Sequence, residues 1–412
     1  MDIRQSIIIL SILMLFWGLI SAATAGAKVL DDFVLVDVTD EALESGFTVK
    51  SSTKQLWIPI FPKQYSEKVK IIISDESAAP FALPANTQPV TGFFKFSVRR
   101  DKGTKITITD QPVLLSFAIN SRSGFQKKVY FYDEDNKQWV PVDSKITDTK
   151  KNIIQATVKR GSGHVVVLET LPKEWTSASA VVIDRKSGKT VYEKDSQKVR
   201  SIASLTKLMT ALVFLEHNPG WDKIVTIKSS DFVGGSYLPV NSGDKVTVRD
   251  LFYAMLIGSK NNAGKALVRS TGLTDAQFVK AMNDKAAKLK LKNTKFVEPT
   301  GLDAGNVSTA AEIAQIAEKA FAELNIANAT AQKYYQVKTV NNGKRYWVKS
   351  TSKTMLDRDL KVVGTKTGVI DSSGYNLVTE AKSDTRELIA LVLGADEKMN
   401  YEEVYYLLKK YL

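Results

Sequence analysis

The 412-residue chain, 44% hydrophobic and 25% charged, has an ordinary globular composition with room for two or three cored domains, so disorder is not the default expectation. It contains no cysteine, so disulfides, thiolate metal sites, a catalytic Cys and a lipid-modified Cys are excluded, and its two histidines, His164 and His217, stand too far apart to suggest a zinc site or a His base. The formal charge of +13 comes from scattered Lys and Arg with no nucleic-acid-binding motif beside them, so the positive balance points to an anionic wall polymer, a lipid headgroup surface or simply a soluble basic surface, and no nucleic acid is expected.

The N-terminus reads as a secretory signal. Arg4 precedes an apolar run from Ile7 to Ile20, and small residues then offer Ala-x-Ala cleavage after Ala25 or Ala27. The run is short for a bilayer span, which favours cleavage over an uncleaved anchor. Residues 1–27 are therefore expected to be a signal peptide.

Between about Val29 and Leu171 short apolar or alternating runs are separated by turn residues. Strands are predicted at Phe33 to Val38, Leu56 to Phe61, Val69 to Ile73, Phe93 to Val98, Val113 to Ile119, Val129 to Tyr132, Ile153 to Val158 and Val165 to Leu168. This spacing predicts an all-β sandwich over residues 28–172 with no catalytic constellation, a spacer or binding module. Past Trp175 the texture changes. A hairpin over Ala180 to Asp184 and Gly188 to Tyr192 opens a second domain, residues 176–412. Helices follow at Ser204 to His217, Val248 to Ile257, Asn262 to Ser270, Asp275 to Leu289 and Ala310 to Leu324. Strands return near Val362, Leu377 to Glu380 and Leu388 to Leu393, before a last helix at Asn400 to Leu412. The order predicts a sheet built from both ends of the domain with a helical insertion between them. The fold class expected for the whole chain is α+β.

Three strings carry the chemistry. In the first helix Leu205, Leu208, Met209 and Leu212 define a buried face, and Ser204 and Lys207, three apart, are neighbours on it. A Ser at the helix start has backbone N–H groups and the positive dipole end near its developing oxyanion, and a desolvated Lys can lose its proton near neutrality and accept the Ser proton. Alone, this Ser-x-x-Lys also reads as an N-capping Ser with a snorkelling Lys, and the same spacing recurs at Ser51 to Lys54, Ser242 to Lys245 and Ser350 to Lys353. The second string, Ser259-Lys260-Asn261, falls on a helix–helix loop. There Ser259 suits proton transfer to the leaving amine and Asn261 can bind an amide through its paired donor and acceptor. In the third, Lys366-Thr367-Gly368, the Lys and Thr can hold a carboxylate and the Gly lets a substrate backbone lie against a strand. Taken in order, the strings read as a Ser-Lys acyl-transfer enzyme.

From Ala178 onward the chain resembles the D-alanyl-D-alanine carboxypeptidases, low-molecular-mass penicillin-binding proteins of serine peptidase family S11. Beyond the three strings the resemblance includes Ile202 to Ala211 around the nucleophile, Pro299-Thr300-Gly301-Leu302 with Ser308-Thr309-Ala310, Gly364-Thr365, Gly374-Tyr375 and Leu388 to Gly394. It implies that Ser204 forms an acyl-enzyme with the penultimate D-Ala carbonyl and that Lys207 is the base. Ser259 and Asn261 would serve proton transfer and substrate placement, and Lys366 and Thr367 would hold the terminal carboxylate. The N–H groups of Ser204 and Val369 would form the oxyanion hole beside Gly368. The partners implied are peptidoglycan stem peptides and β-lactams, outside the cytoplasm, with no cofactor or metal. The sequence departs from the family's pattern at Lys260, which reads as a solvated loop charge or a contact to an acidic part of the stem peptide, and at Ser350-Thr351-Ser352, where Asn-x-Asn is usual. A DD-endopeptidase using the same residues and an inactive wall-binding protein are the alternatives. A class A β-lactamase is disfavoured because no Glu-x-x-Leu-Asn segment is found.

Overall fold

The computed structural model describes residues 26–30, 33–100, 108–172 and 174–412, the side chains of 26–30 and 108–111 excepted. The predicted signal segment lies, up to residue 25, outside the described residues. The chain divides into two compact units, Met1–Lys173 and Glu174–Leu412.

In the first unit every strand pairing is antiparallel. One sheet runs Gly26–Leu30, Phe33–Asp37, Val69–Glu76, Phe93–Arg100, Ser162–Thr170, Lys127–Asp133 and Gln138–Val142, with Thr87–Pro89 also paired to Ser162–Thr170. The other runs Ser144–Asp148, Ile153–Arg160, Ile108–Ala118, Leu56–Ile60 and Phe47–Lys50. A single hydrophobic cluster draws on both. Ile71, Ile73, Phe96, Val98 and Val165 come from the first sheet, and Leu56, Ile58, Leu115, Phe117 and Ile154 from the second. Each such side chain contributes about 1.5–3 kcal/mol by leaving water. His164 packs edge-on to Phe81 and Tyr132, with Nδ1 3.0 Å from Glu76 Oε2.

The second unit is mixed α/β. Its sheet runs Thr190–Lys194, Ser179–Asp184, Glu387–Ala395, Gly374–Lys382 and Lys361–Ile370, antiparallel throughout. The two outer stretches of the unit thus supply the sheet, as the element order predicts. Side-chain alternation splits the sheet's apolar residues between two cores. Val181, Val378, Ile389 and Leu391 join the cluster that holds the helices Thr206–Glu216, Val248–Ile257 and Ala310–Ala322. Val182, Leu377, Leu388 and Ala390 face the C-terminal helix Met399–Tyr411 through Val404, Tyr405 and Leu408.

Local chemistry sets the helix starts. Thr247, Thr274 and Thr309 each accept a backbone N–H from the third residue onward, and an acidic residue stands in each first turn, where the dipole favours it. The helix expected to begin at Ser204 instead starts as a 3-10 turn, Ala203–Leu205, and becomes α-helical at Thr206. The helix expected over Ala310 to Leu324 breaks at Glu323, whose backbone is extended, and a second helix, Leu324–Thr330, follows.

Candidate active site

The nucleophile turn is shaped by its backbone. Ala203 has φ of +46°, a conformation that costs a non-glycine residue about 1 kcal/mol or more, and the turn throws Ser204 out of the helix onto a cleft. Thr206–Glu216 then carries Lys207, fully buried, one turn beyond. Lys207 Nζ donates to Ser204 Oγ at 2.9 Å, to Asn261 Oδ1 at 2.7 Å and to the Thr300 carbonyl. Burial pushes the Lys207 amine down to about 7, against the opposing pull of the Glu298 carboxylate. Near neutral pH, Lys207 therefore exists in part as the free amine that can take the proton of Ser204.

Ser259 and Asn261 come from the junction between Val248–Ile257 and Asn261–Ser270. Ser259 has φ of +56°, so this junction is a sharp corner. Its hydroxyl accepts from Lys366 Nζ at 3.0 Å, so Ser259 is tied to the second lysine of the site rather than to Lys207. Asn261 uses Oδ1 for Lys207 and Nδ2 for the Gly234 carbonyl at 2.9 Å, leaving one lone pair and one N–H for a substrate amide.

Lys366, also fully buried, lies on the edge strand Lys361–Ile370 and donates to its neighbour's carbonyl at Thr367 as well as to Ser259. Its amine lies well below the usual range, first because it is buried and second because Lys207 faces it. Thr367 donates its hydroxyl to Thr351 Oγ1 at 2.6 Å. Gly368 backs directly onto the nucleophile turn, where a Cβ would stand 2.9 Å from the Ile202 carbonyl oxygen and 3.1 Å from Ser204 N. Only a glycine lets this strand approach Ser204 so closely. Val369 follows with its side chain half exposed.

These residues open on one cleft of about 500 Å³, lined by Ser204, Ser259, Asn261, Thr367, Gly368 and Val369 among others. All eight residues predicted for the site are thus brought together, with the two lysines beneath the cleft's surface. Lys260 is not freely solvated. It is half buried, donates from Nζ to Ser236 Oγ at 3.1 Å, and burial lowers its amine's pKa. The Ser350 to Lys353 repeat of the spacing is no second site, because Lys353 is paired with Asp357.

Several contributors have no counterpart in the sequence reading. The Thr300 carbonyl contacts Lys207, and Asn306 Nδ2 reaches Thr206 Oγ1 at 3.2 Å while its own carbonyl takes the Ile202 N–H at 3.1 Å. Tyr401, from the C-terminal helix, donates to the Thr351 carbonyl at 2.7 Å and lines the cleft. The Thr300 loop itself is the Pro299-Thr300-Gly301-Leu302 run of the sequence, whose residue types mark the segment but not the role of its carbonyl.

The model of the S11 peptidase family, described as D-alanyl-D-alanine carboxypeptidase, matches residues 166–397. The chain belongs to the S11 peptidase family. Among its relatives, the D-alanyl-D-alanine carboxypeptidase DacF of Bacillus subtilis is 34% identical over 223 residues, which cover 53% of this chain and 57% of that protein. A D-alanyl-D-alanine endopeptidase of Pseudomonas aeruginosa is 32% identical over 235 residues, covering 56% of this chain and 75% of that protein. The chain thus spans little more than half the length of the first and three quarters of the second. Among solved structures, the Streptomyces K15 DD-transpeptidase is similar at a TM-score of 0.55 and 29% identity, over 59% of this chain and 98% of that one. The S11 match falls on the mixed α/β unit, apart from its first few residues, and so on all three strings.

Proposed function

We propose that the chain is a serine-type D-Ala-D-Ala carboxypeptidase that trims the terminal D-Ala from peptidoglycan stem peptides, with residues 176–412 as the peptidase domain. The observation that supports this reading most is the 2.9 Å contact between Ser204 Oγ and a fully buried Lys207 on the wall of a cleft. Ser204 Oγ attacks the carbonyl of the penultimate D-Ala while its proton passes to Lys207 Nζ. The N–H groups of Ser204 and Val369 stabilise the oxyanion. The C–N bond breaks, and terminal D-Ala leaves as an amine after taking, by way of Ser259, the proton that Lys207 accepted, which returns Lys207 to the free amine. Lys366 and Thr367 hold its carboxylate, and Asn261 the stem-peptide amide. Water then cleaves the Ser204 ester and restores the hydroxyl.

We further propose that residues 28–172 form a β-sandwich acting as a spacer or binding module, and that the chain works outside the cytoplasm behind a signal at residues 1–27. The basic balance suits contact with an anionic wall polymer or membrane surface. No helix among the described residues is long and apolar enough to cross a membrane. β-Lactams are expected as covalent inhibitors.

The test is release of D-Ala from a monomeric pentapeptide against cleavage of a cross-linked muropeptide. Carboxypeptidase action is expected to dominate. Its rate should rise with pH through about 7 as Lys207 loses its proton, since the lowered pKa leaves the base charged and inactive only below that range. Cleavage of the cross-link with no release from the pentapeptide would instead make the enzyme an endopeptidase.

A further inference from the structure

Glu298 lies outside the three strings, yet its carboxylate is the hub of the loop beneath them. Oε2 accepts from the Thr300 N–H at 2.7 Å and from the Thr300 hydroxyl at 2.6 Å. Oε1 accepts from the N–H groups of Gly301 and Leu302, the latter at 2.9 Å, and from Asn306 Nδ2 at 2.8 Å. Asn306, fully buried, returns the bond by accepting the Val297 N–H at 2.7 Å through Oδ1. A carboxylate that gathers this many donors fixes the loop's backbone, and with it the direction of the Thr300 carbonyl. That carbonyl is the one in contact with Lys207 Nζ, and Ser204 Oγ lies 3.5 Å from it.

The charges around this point are few. Lys366 faces Lys207 from the edge strand, and Glu298 is the carboxylate that acts on Lys207 from the loop. The nucleophile turn and the start of Asn261–Ser270 contribute only the neutral Ser204 and Asn261. On the far side of Glu298, a second cleft of about 510 Å³ brings Lys265, Asp275 and Lys280. Lys265 is paired with Asp275 there, and Lys280 with Asp284.

We propose that Glu298 is a positioning residue for the acyl-transfer step, holding the Thr300 carbonyl against Lys207 and supplying the negative charge that acts on the buried Lys207 from the loop. The inference rests on the acyl-transfer reading above. Removing the carboxylate has two separable effects. Lys207 gives up its proton more readily, so the acid limb of the pH profile moves down. The Thr300 carbonyl also loses its anchor, so the maximal rate falls. A residue that only braced the fold would lower the melting temperature and leave the limb in place.

The experiment measures penicillin acylation and D-Ala release from a pentapeptide across the neutral pH range, for the full chain and for Glu298→Gln. The acid limb is expected to drop by roughly 0.5–1 pH unit, and kcat about 10-fold with KM little changed. A folded variant whose limb does not move overturns the proposal. If Glu298→Gln does not fold, Glu298→Asp keeps the charge with a shorter reach. It should hold the limb near the wild-type position while kcat falls about 10-fold, and an undiminished kcat would overturn the proposal. Failure of the underlying reading looks different, because the wild-type chain itself would not be acylated.

Discussion

Replacing Lys207 by Met is expected to slow acylation by penicillin at least about a thousandfold, and Lys207→Arg to do the same. The pair separates a base from a mere charge. Met fills a similar volume but has no proton acceptor, whereas Arg keeps a cation that cannot be deprotonated in a protein. If Lys207 served only to place positive charge beside Ser204, Arg would retain much of the rate. The geometry argues for the base. The amine is fully buried, its pKa is lowered to about 7, and its nitrogen already lies 2.9 Å from Ser204 Oγ. Stopped-flow acylation with a chromogenic β-lactam reads the loss, and a Lys207→Arg rate within tenfold of wild type would contradict the assignment.

The second large effect is expected at Gly301. Its φ is +83°, and a Cβ there would stand 2.1 Å from the Ala203 carbonyl oxygen, 2.4 Å from Ala203 C and 2.7 Å from Ser204 N. These are backbone atoms of the nucleophile turn, which is itself held at positive φ by Ala203 and cannot yield as a flexible side chain would. Gly301→Ala must therefore push the loop away from the turn, and the neighbouring Thr300 carbonyl withdraws from Lys207 with it. A displacement of about 1 Å at this point should cost about a hundredfold in acylation rate, together with about 1 kcal/mol or more of stability from the left-handed backbone. Gly368→Ala should be milder, because its closest clash is 2.9 Å. Thermal unfolding and acylation rates of the two variants, measured side by side, check the ranking.

Much of this was legible in the sequence because burial repeats with the period of each element. Strands such as Val69–Glu76 and Ile153–Arg160 alternate buried and half-buried residues, and the runs predicted there fall inside them. Two of the missed strands are edge strands. Phe47–Lys50 and Ser144–Asp148 lie at the two edges of their sheet, and the latter buries no residue, so no alternation marks it. The short helix Asp40–Ser45 has a Thr39 cap and an acidic first turn, but buries only the adjacent Ala42 and Leu43, too few apolar residues to show a helical period.

At the site, the three strings identified the side chains that touch the cleft but not how they are wired. That Ser259 is held by Lys366, and Thr367 by Thr351, depends on strand and loop positions far apart in sequence. The Thr300 carbonyl is backbone, which every residue has, so no residue type could announce it. Glu298 works through N–H groups on its own loop, a role that becomes visible only once the loop's path is known.

In this cleft Ser204 is an acylatable nucleophile activated by Lys207. Intact mass of the purified chain after penicillin exposure, beside a Ser204→Ala variant, tests it most directly. One penicilloyl adduct is expected on the wild type and none on the variant. A folded wild-type chain that gained no adduct, or a Ser204→Ala variant that gained one, would contradict it.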